Sequence, residues 1–182
     1  MNATVITISG EPGTGKTTIA KLLSEKIKLR LVTIGETFRE IAKEYNMSLS
    51  DFSSFAKANP DIDSELDLRQ LKQAQGGNVI LDSRLSAWVV KNDNLNAFKV
   101  LLTADLDTRV KRIMGREGKK YDQVKHEILE REKSELERYK ILYSANYLDK
   151  SLYDLIIDTS DLTPDEIVQN IIDGFSKFNS QN

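Results

Sequence analysis

The chain has no cysteine and only one histidine, and each scarcity excludes a class of site. Because Cys is absent from all 182 residues, the chain has no disulfide, no thiolate nucleophile and no cysteine ligand for a metal. The lone imidazole, His126, excludes the usual histidine metal clusters. The lack of Cys is compatible with a reducing compartment, and we expect a cytoplasmic protein.

Long apolar runs and a surplus of one charge are also missing. The first apolar run, from Thr4 to Ile8, is about five residues long, which is too short for a secretory signal or a membrane span. The chain has 26 Lys and Arg residues against 28 Asp and Glu residues, a formal net charge of −2, which argues against broad nucleic-acid binding. We therefore expect a soluble protein whose partners are neither membranes nor nucleic acids.

What the chain does contain is a glycine loop with the spelling GxxxxGKT. Its residues are Gly10, Glu11, Pro12, Gly13, Thr14, Gly15, Lys16 and Thr17. An apolar, β-branched run precedes the loop, and apolar residues at helical spacing follow it, so strand, loop and helix occur in the order that a phosphate-binding loop needs. The alternative, a turn that merely joins a strand to a helix, explains neither the lysine nor the hydroxyl.

Each residue type in this loop has a physical reason. Glycines permit positive φ and let backbone N–H groups converge on phosphate oxygens at the start of a helix. We expect Lys16 to contact the β- and γ-phosphates of ATP, and Thr17 to ligate a phosphate-bound Mg²⁺ ion. Thr18 follows directly and is included in the predicted ATP site.

The rest of the chain alternates short apolar runs with helical patterns, which is typical of a parallel α/β sheet. The predicted strands are 4–8, 31–34, 78–82, 98–102 and 154–158. The 40% hydrophobic content suits one compact domain. We predict a five-stranded parallel sheet of the P-loop NTPase type, flanked by helices and interrupted by a helical insertion and a lid. The predicted boundaries within the single domain 1–182 are core 1–35, 78–112 and 144–182, insertion 36–77, and lid with long helix 113–143.

Sequence signals within these segments locate several helix ends. The insertion contains a capping box at Ser48 and an interruption at Asn59-Pro60, and Gly76-Gly77 stops its last helix. The segment from the third strand through Trp88 has no clear pattern. The final helix opens at a second capping box, Thr163 to Glu166, and is expected to fray after Phe178.

Two charged residues follow the third predicted strand. Ligands of open parallel sheets bind beyond the carboxyl ends of the strands, so Asp82 is expected to face the glycine loop and hold Mg²⁺. The alternative is a surface carboxylate at a turn. Arg84 could bind an anion in the same crevice, or it could be a solvated loop arginine.

Arginines at helical spacing form two rows further along the chain. Arg109, Arg112 and Arg116 share one helix face, and Arg131 and Arg138 share another. Facing a nucleotide, such rows would stabilise the charge on a phosphoryl group in transit. The spacing leaves an alternative open, because the interleaved glutamates are also typical of a solvated, salt-bridged helix face. These glutamates are Glu127, Glu130, Glu132, Glu135 and Glu137.

Four segments resemble the nucleoside monophosphate kinases, and among these the archaeal-type cytidylate kinases. The segments are Gly35-Glu36-Thr37-Phe38-Arg39, Asp63-Ser64-Glu65-Leu66-Asp67-Leu68-Arg69-Gln70, Asp82-Ser83-Arg84-Leu85-Ser86 and Arg112-Ile113-Met114-Gly115-Arg116. The resemblance runs from about Val5 to about Ile172. The middle of the lid matches weakly, and the spacing of Arg131 and Arg138 differs from that of adenylate kinases.

The resemblance implies roles for the residues that match. Segment 36–77 is similar to the family's monophosphate-binding domain. On the acceptor side, the resemblance implies that Arg39 binds the acceptor phosphate, that Arg69 and Asp63 lie near the pyrimidine, and that Arg84 binds the acceptor nucleotide. On the donor side, it implies that Arg112 stacks on adenine near Thr159 and Ser160, that Arg116 grips the transferring phosphates, and that Arg131 and Arg138 clamp both nucleotides. Asp82 matches the carboxylate that orients Mg²⁺.

The predicted activity is transfer of the γ-phosphoryl group of ATP to CMP or dCMP, with Mg²⁺ as cofactor and a monomeric enzyme. Lys16, Arg116, Arg131 and Arg138 are the predicted catalytic residues. Two alternatives remain open. A kinase of the same core could phosphorylate AMP, UMP or a hydroxyl acceptor such as shikimate, with Asp82 as the base in the last case. A non-catalytic nucleotide sensor would leave Arg39 and Arg84 without a purpose.

Overall fold

The computed structural model describes residues 4–47 and 49–181. Five strands form one sheet in which all neighbouring pairs are parallel, in the order β2-β3-β1-β4-β5. The strands are β1 (Val5–Gly10), β2 (Arg30–Thr33), β3 (Val79–Asp82), β4 (Phe98–Thr103) and β5 (Leu155–Asp158). The predicted parallel α/β sheet is confirmed. Ile34 starts a helix rather than ending β2, so that strand lies one residue earlier than predicted.

Eight α-helices in the described residues flank this sheet. They are α1 (Lys16–Ile27), α2 (Ile34–Glu44), α3 (Leu49–Ala58), α4 (Pro60–Gln75), α5 (Ser86–Asn92), α6 (Leu106–Glu117), α7 (Tyr121–Tyr143) and α8 (Pro164–Gln181). A single 3-10 turn, Lys150–Leu152, precedes β5. In the described part of the chain, no helix is long and apolar enough to cross a lipid bilayer.

The central strands are buried on both faces, which explains their continuous apolar sequences. All six residues of β1 and all four of β3 are buried. One face of the sheet packs against α1 and α8 through Ile8, Leu23 and Ile171, each 0% exposed. The opposite face packs against α4 and α5 in a smaller cluster. The carboxyl ends of β1 and β3 are thereby fixed side by side, with Ile8 paired to Asp82.

Three helices between β2 and β3 form a small core of their own. Phe52 of α3 is fully buried against Ile41 of α2 and Leu66 of α4. The predicted interruption at Asn59-Pro60 separates α3 from α4, which begins at Pro60, and Gly76 follows the last residue of α4 as predicted. The predicted capping residue Ser48 lies outside the described residues.

Two segments differ from the sequence-based expectation. The segment through Trp88 contains α5, four of whose seven residues are buried, and a helix buried around most of its circumference shows no amphipathic period. Helix α8 continues past Phe178 to Gln181, because the rings of Phe175 and Phe178 pack 5.7 Å and 5.4 Å from that of Phe98. Its predicted capping box is confirmed, since Glu166 N donates to Thr163 Oγ1 and Thr163 N to Glu166 Oε2.

Candidate active site

The glycine loop joins the end of β1 to the start of α1, and its backbone geometry requires glycine. Gly10, Gly13 and Gly15 have φ angles of 151°, 84° and 91°, which residues with a Cβ rarely adopt. A Cβ on Gly13 would also lie 2.8 Å from the Cβ and carbonyl oxygen of Arg109. Thr18 lies exposed on the first turn of α1. The loop is therefore held at the positive end of this helix, where backbone N–H groups bind anions.

The lysine of the loop is held against the loop's own backbone. Lys16 Nζ donates to Glu11 O at 3.0 Å, and the Thr14 hydroxyl donates to the same carbonyl at 2.9 Å. Burial is the main cause that lowers the pKa of Lys16 to about 7, with the nearby Arg84 guanidinium adding to the shift and Asp82 opposing it. A phosphate group beside this ammonium would favour its charged form.

The predicted magnesium-binding pair is brought together. Thr17 Oγ1 donates to Asp82 Oδ2 at 2.6 Å, and Asp82 is only 3% exposed at the end of β3. No group of three or more His, Cys, Asp or Glu side chains in the described residues could hold a metal. One hydroxyl and one carboxylate oxygen suit Mg²⁺, which binds through few protein ligands when nucleotide phosphates supply others.

Two of the predicted phosphate-binding arginines share one buried carboxylate. Arg84 Nε is ion-paired with Glu135 Oε2, and Arg131 Nε donates to Glu135 Oε1 at 2.9 Å. The Arg84 side chain is 11% exposed, whereas that of Arg131 is 61% exposed. Burial raises the pKa of Glu135, but the Arg84 and Arg131 charges outweigh burial and lower it overall. The charges of Arg84, Glu135 and Arg131 all act on the pKa of Lys16, so this cluster lies near the glycine loop.

Arg138, the other arginine of α7 that is predicted to clamp the nucleotides, is paired with the insertion. Its Nε lies 3.2 Å from Asp63 Oδ2 in α4, and the two side chains are 15% and 8% exposed. A cavity of about 260 Å³ opens beside this pair, between the insertion and α7. Its lining comprises Ala56, Pro60, Asp63, Ser134, Glu137, Arg138, Ile141 and Leu142.

The remaining predicted acceptor residues lie on the exposed surface of the insertion. Arg69 is paired with Glu65 one turn earlier in α4, at 2.5 Å, and its side chain is 50% exposed. Arg39 is exposed on α2. The structure therefore brings Asp63 to Arg138 but leaves Arg39 and Arg69 outside this contact.

The two arginines of α6 have different surroundings. Arg112 donates to the Thr159 carbonyl at 2.6 Å and to the Thr159 hydroxyl at 2.9 Å, and its Nη1 lies 3.5 Å from Gly13 O. It thus joins the glycine loop to the loop that follows β5. Arg116 lies at the end of α6, is 69% exposed, and pairs with Glu117.

Sequence reasoning missed the buried carboxylates of α7. The solvated-face alternative does not hold for Glu135, which is 8% exposed. Glu135 follows the buried residues Val124 and Ile128 at helical spacing and precedes Tyr139 by four, so the apolar period of α7 could have indicated its burial. Arg109 is also buried, at 5% exposed, although its spacing alone would allow it to face the nucleotide with the rest of its row.

The sheet order, the glycine loop and the strand-end carboxylate together define the P-loop class of nucleotide-binding proteins. Solved structures share this fold. An uncharacterised protein from Eubacterium ventriosum matches with a TM-score of 0.70 at 21% identity, covering 93% of this chain and 96% of that one. A shikimate kinase from Bacteroides thetaiotaomicron matches with a TM-score of 0.61 at 14% identity, covering 97% and 98%. These likenesses show the fold alone.

Within that class, the chain belongs to the cytidylate kinase-like family, whose sequence profile matches residues 5–161. A cytidylate kinase from Methanopyrus kandleri is 47% identical over 169 residues, covering 89% of this chain and 88% of that protein. Another from Methanocaldococcus jannaschii is 44% identical over 177 residues, covering 95% and 99%. The predicted family is confirmed.

Proposed function

We propose that this protein transfers the γ-phosphoryl group of ATP to CMP or dCMP, giving ADP and the nucleoside diphosphate. The observation that carries the proposal is the convergence of Lys16, Arg84 and Arg131 beside the Thr17–Asp82 pair. The cytidylate kinases among its relatives, with matching lengths, support the choice of acceptor.

The reaction needs alignment and charge neutralisation rather than a general base. A nucleoside monophosphate has a second pKa of about 6, so its phosphate is already a nucleophile at neutral pH. Asp82 accepts a hydrogen bond from the Thr17 hydroxyl. We assign this carboxylate to the metal rather than to a general base. We assign Lys16 to the β- and γ-phosphates of ATP, and Arg131 to the charge that develops between donor and acceptor.

Thr17 and Asp82 would hold the Mg²⁺ ion that accompanies ATP, and the ion would shield the negative charge of its phosphates. The loop residues Gly10 to Thr17, followed by Thr18, bind the triphosphate in this proposal. Arg112 lies against Thr159, in the position we assign to the border of the adenine. We assign Arg116 to the transferring phosphates, which it would reach as the α6–α7 segment moves.

On the acceptor side, the carboxylate partners of the arginines are exchangeable for phosphate. Glu135 is shared by Arg84 and Arg131, so one negative charge faces two positive charges, and an acceptor phosphate would supply more negative charge and bidentate hydrogen bonds. We assign Arg84 and Arg39 to the acceptor nucleotide and its phosphate, Asp63 and Arg69 to the pyrimidine, and Arg138 to both nucleotides. Segment 36–77 would act as the monophosphate-binding unit.

Segment 113–143 would supply a lid together with the long helix. Its closure would exclude water, so that phosphoryl transfer to the nucleotide outruns hydrolysis of ATP. We further propose that the enzyme is a cytoplasmic monomer.

The decisive test is ADP release with ATP and Mg²⁺ across a panel of acceptors: CMP, dCMP, UMP, AMP, GMP and shikimate. We expect strong activity with CMP or dCMP, and only background release with shikimate. Strong activity with AMP alone would overturn the cytidylate assignment, and activity confined to shikimate would replace the phosphate acceptor by a hydroxyl. Size-exclusion chromatography with light scattering tests the monomer.

A further inference from the structure

Arg109 occupies an unusual position, because its guanidinium is enclosed and contacts three different parts of the site. Its Nε donates to Ala104 O at 3.1 Å and its Nη1 to Pro12 O at 3.4 Å. The same Nη1 is paired with Glu132 Oε1 of α7, and Nη2 lies 3.6 Å from Glu11 Oε1 of the glycine loop. The Arg109 side chain is 7% exposed. One residue of α6 thus connects the loop to the helix that carries Arg131.

These contacts are more than is needed to fill a core. A buried guanidinium loses hydration, and an apolar side chain of similar volume would often pack there at no loss of stability. Here the guanidinium is paired with two carboxylates on two other elements, Glu11 and Glu132. Burial raises the pKa of Glu11, and the Arg109 charge opposes this shift. The Arg109 charge therefore offsets part of the cost of burying Glu11 in the loop.

The geometry leaves the loop little freedom relative to α6. The ideal Cβ position of Gly13 lies 2.8 Å from Arg109 Cβ, so the loop backbone touches the stem of the same side chain whose head binds Pro12 and Glu132. Glu132 directly follows Arg131 in α7. Holding Glu132 against Arg109 thus also sets the position of Arg131 along and around its helix axis.

We propose that Arg109 and Glu132 are positioning residues that hold the glycine loop and α7 in register, so that loop-bound phosphates meet Arg131. The inference rests on the proposed function and adds two residues to it. Neither residue touches a nucleotide in this proposal. Both act through the loop backbone and through the helix.

The test is a double-mutant cycle between Glu11 and Glu132, which lie on different elements on either side of Arg109. Gln replaces each Glu, because it keeps the shape and an acceptor oxygen. MgATP affinity is measured by calorimetry for the wild type, Glu11→Gln, Glu132→Gln and the double variant. We expect Glu132→Gln to weaken MgATP binding by about 3–10-fold in the otherwise wild-type chain. In the Glu11→Gln background, we expect the same substitution to change MgATP affinity by a factor that differs from this one at least about threefold. The kcat for CMP should fall more than MgATP affinity does, with KM for CMP nearly unchanged.

Controls separate positioning from stability. Glu130→Gln changes an exposed glutamate of the same helix and should leave MgATP affinity and kcat unchanged. In an Arg109→Lys background the coupling between Glu11 and Glu132 should disappear, because one ammonium cannot hold both carboxylates as the guanidinium fork does.

A purely structural role predicts that Glu132→Gln lowers the melting temperature and weakens MgATP binding by the same factor whether residue 11 is Glu or Gln. That result would overturn the proposal. Unchanged MgATP affinity and unchanged kcat in Glu132→Gln would overturn it as well. The outcome is separable from the acceptor assignment, since the titrations contain no CMP. A wild type that binds MgATP but phosphorylates no monophosphate refutes the proposed function while the cycle still reports the coupling.

Discussion

Pairs of arginine and carboxylate dominate the site at the scale of single residues. Glu135 is shared by Arg84 and Arg131, and Asp63 is paired with Arg138. Breaking a buried pair by removing one partner is costly, because the other charge stays without compensation. In the proposed function, an acceptor phosphate would take the place of the carboxylate, so that the cation is not left unpaired. We therefore propose that the carboxylates hold the arginines in place until a phosphate takes over as their partner.

Arg131→Ala should depress turnover far more than ATP affinity. Arg131 is largely exposed and contacts only Glu135 among the partners the structure shows, so its removal disturbs neither the loop nor the core. Loss of one positioned donor to transition-state charge costs about 10²–10³-fold in kcat, whereas the Kd for MgATP should change less than about threefold. Steady-state kinetics with CMP and calorimetry with MgATP measure the two quantities. Lys133→Ala, on the exposed face of the same helix, is the control, and an unchanged kcat in Arg131→Ala would remove Arg131 from catalysis.

MgATP binding should take up a proton at Lys16 above neutral pH. Burial lowers the pKa of Lys16 to about 7, so the free protein carries mostly neutral Lys16 at pH 8. Bound phosphates favour the ammonium and raise this pKa, so binding at pH 8 should take up about 0.5–1 proton, falling towards zero below pH 6. Calorimetric enthalpies in buffers of different ionisation enthalpy report the number. Lys16→Met should abolish the uptake, and an enthalpy independent of buffer in the wild type would contradict the lowered pKa.

At the scale of elements, local sequence predicted the parts whose cause is local. The glycine loop, the interruption at Asn59-Pro60 and the capping box of α8 each depend on a few adjacent residues. Helix α5 was missed because it is buried around most of its circumference. Local sequence could not predict the carboxylate partners of the arginines either, since Arg84 and Glu135 are 51 positions apart along the chain. Which charges meet is decided by how α7 packs on the sheet and on the insertion.

Two glycines on neighbouring elements should respond in opposite ways to the same substitution. Gly13→Ala forces a Cβ to within 2.8 Å of Arg109 at a φ of 84°, which should destabilise the protein by about 1–3 kcal/mol and abolish MgATP binding. Gly115 lies inside α6, and a Cβ added there would meet nothing within 4 Å. Gly115→Ala should therefore stabilise the protein by about 0.5–1 kcal/mol with MgATP affinity unchanged. Urea unfolding and calorimetry compare the pair, and equal effects of both substitutions would refute the steric argument.

At the scale of the whole molecule, the insertion joins the rest of the protein through an interface that contains buried charge. Helix α4 contributes Asp63 and Asp67, and α7 contributes Arg138 and Tyr143. The sequence predicted that the insertion is helical and lies between β2 and β3, because strand and helix patterns are local. It did not predict that acidic residues of α4 face α7, because their side of the helix also carries apolar residues such as Leu66. Buried carboxylates at this interface make stability depend on pH.

Asp67→Asn should stabilise the protein at neutral pH and lose this advantage as the pH falls. Burial raises the pKa of Asp67 from 3.8 to about 6, with Tyr143 opposing and Asp63 adding to the shift. Between these values the folded state binds more protons than the unfolded state, so the contribution of Asp67 to stability decreases as pH rises through the window. Above pH 6 the folded protein bears the full cost of the buried carboxylate. An amide has no such charge, so at pH 7.5 Asp67→Asn should raise the free energy of unfolding by about 1–2 kcal/mol, and this gain should shrink to half or less by about pH 4.5.

Urea unfolding at a series of pH values measures this gain in stability, with the exposed Asp161→Asn as control. A gain that is constant across this range would assign the effect to packing rather than to the ionisation of Asp67.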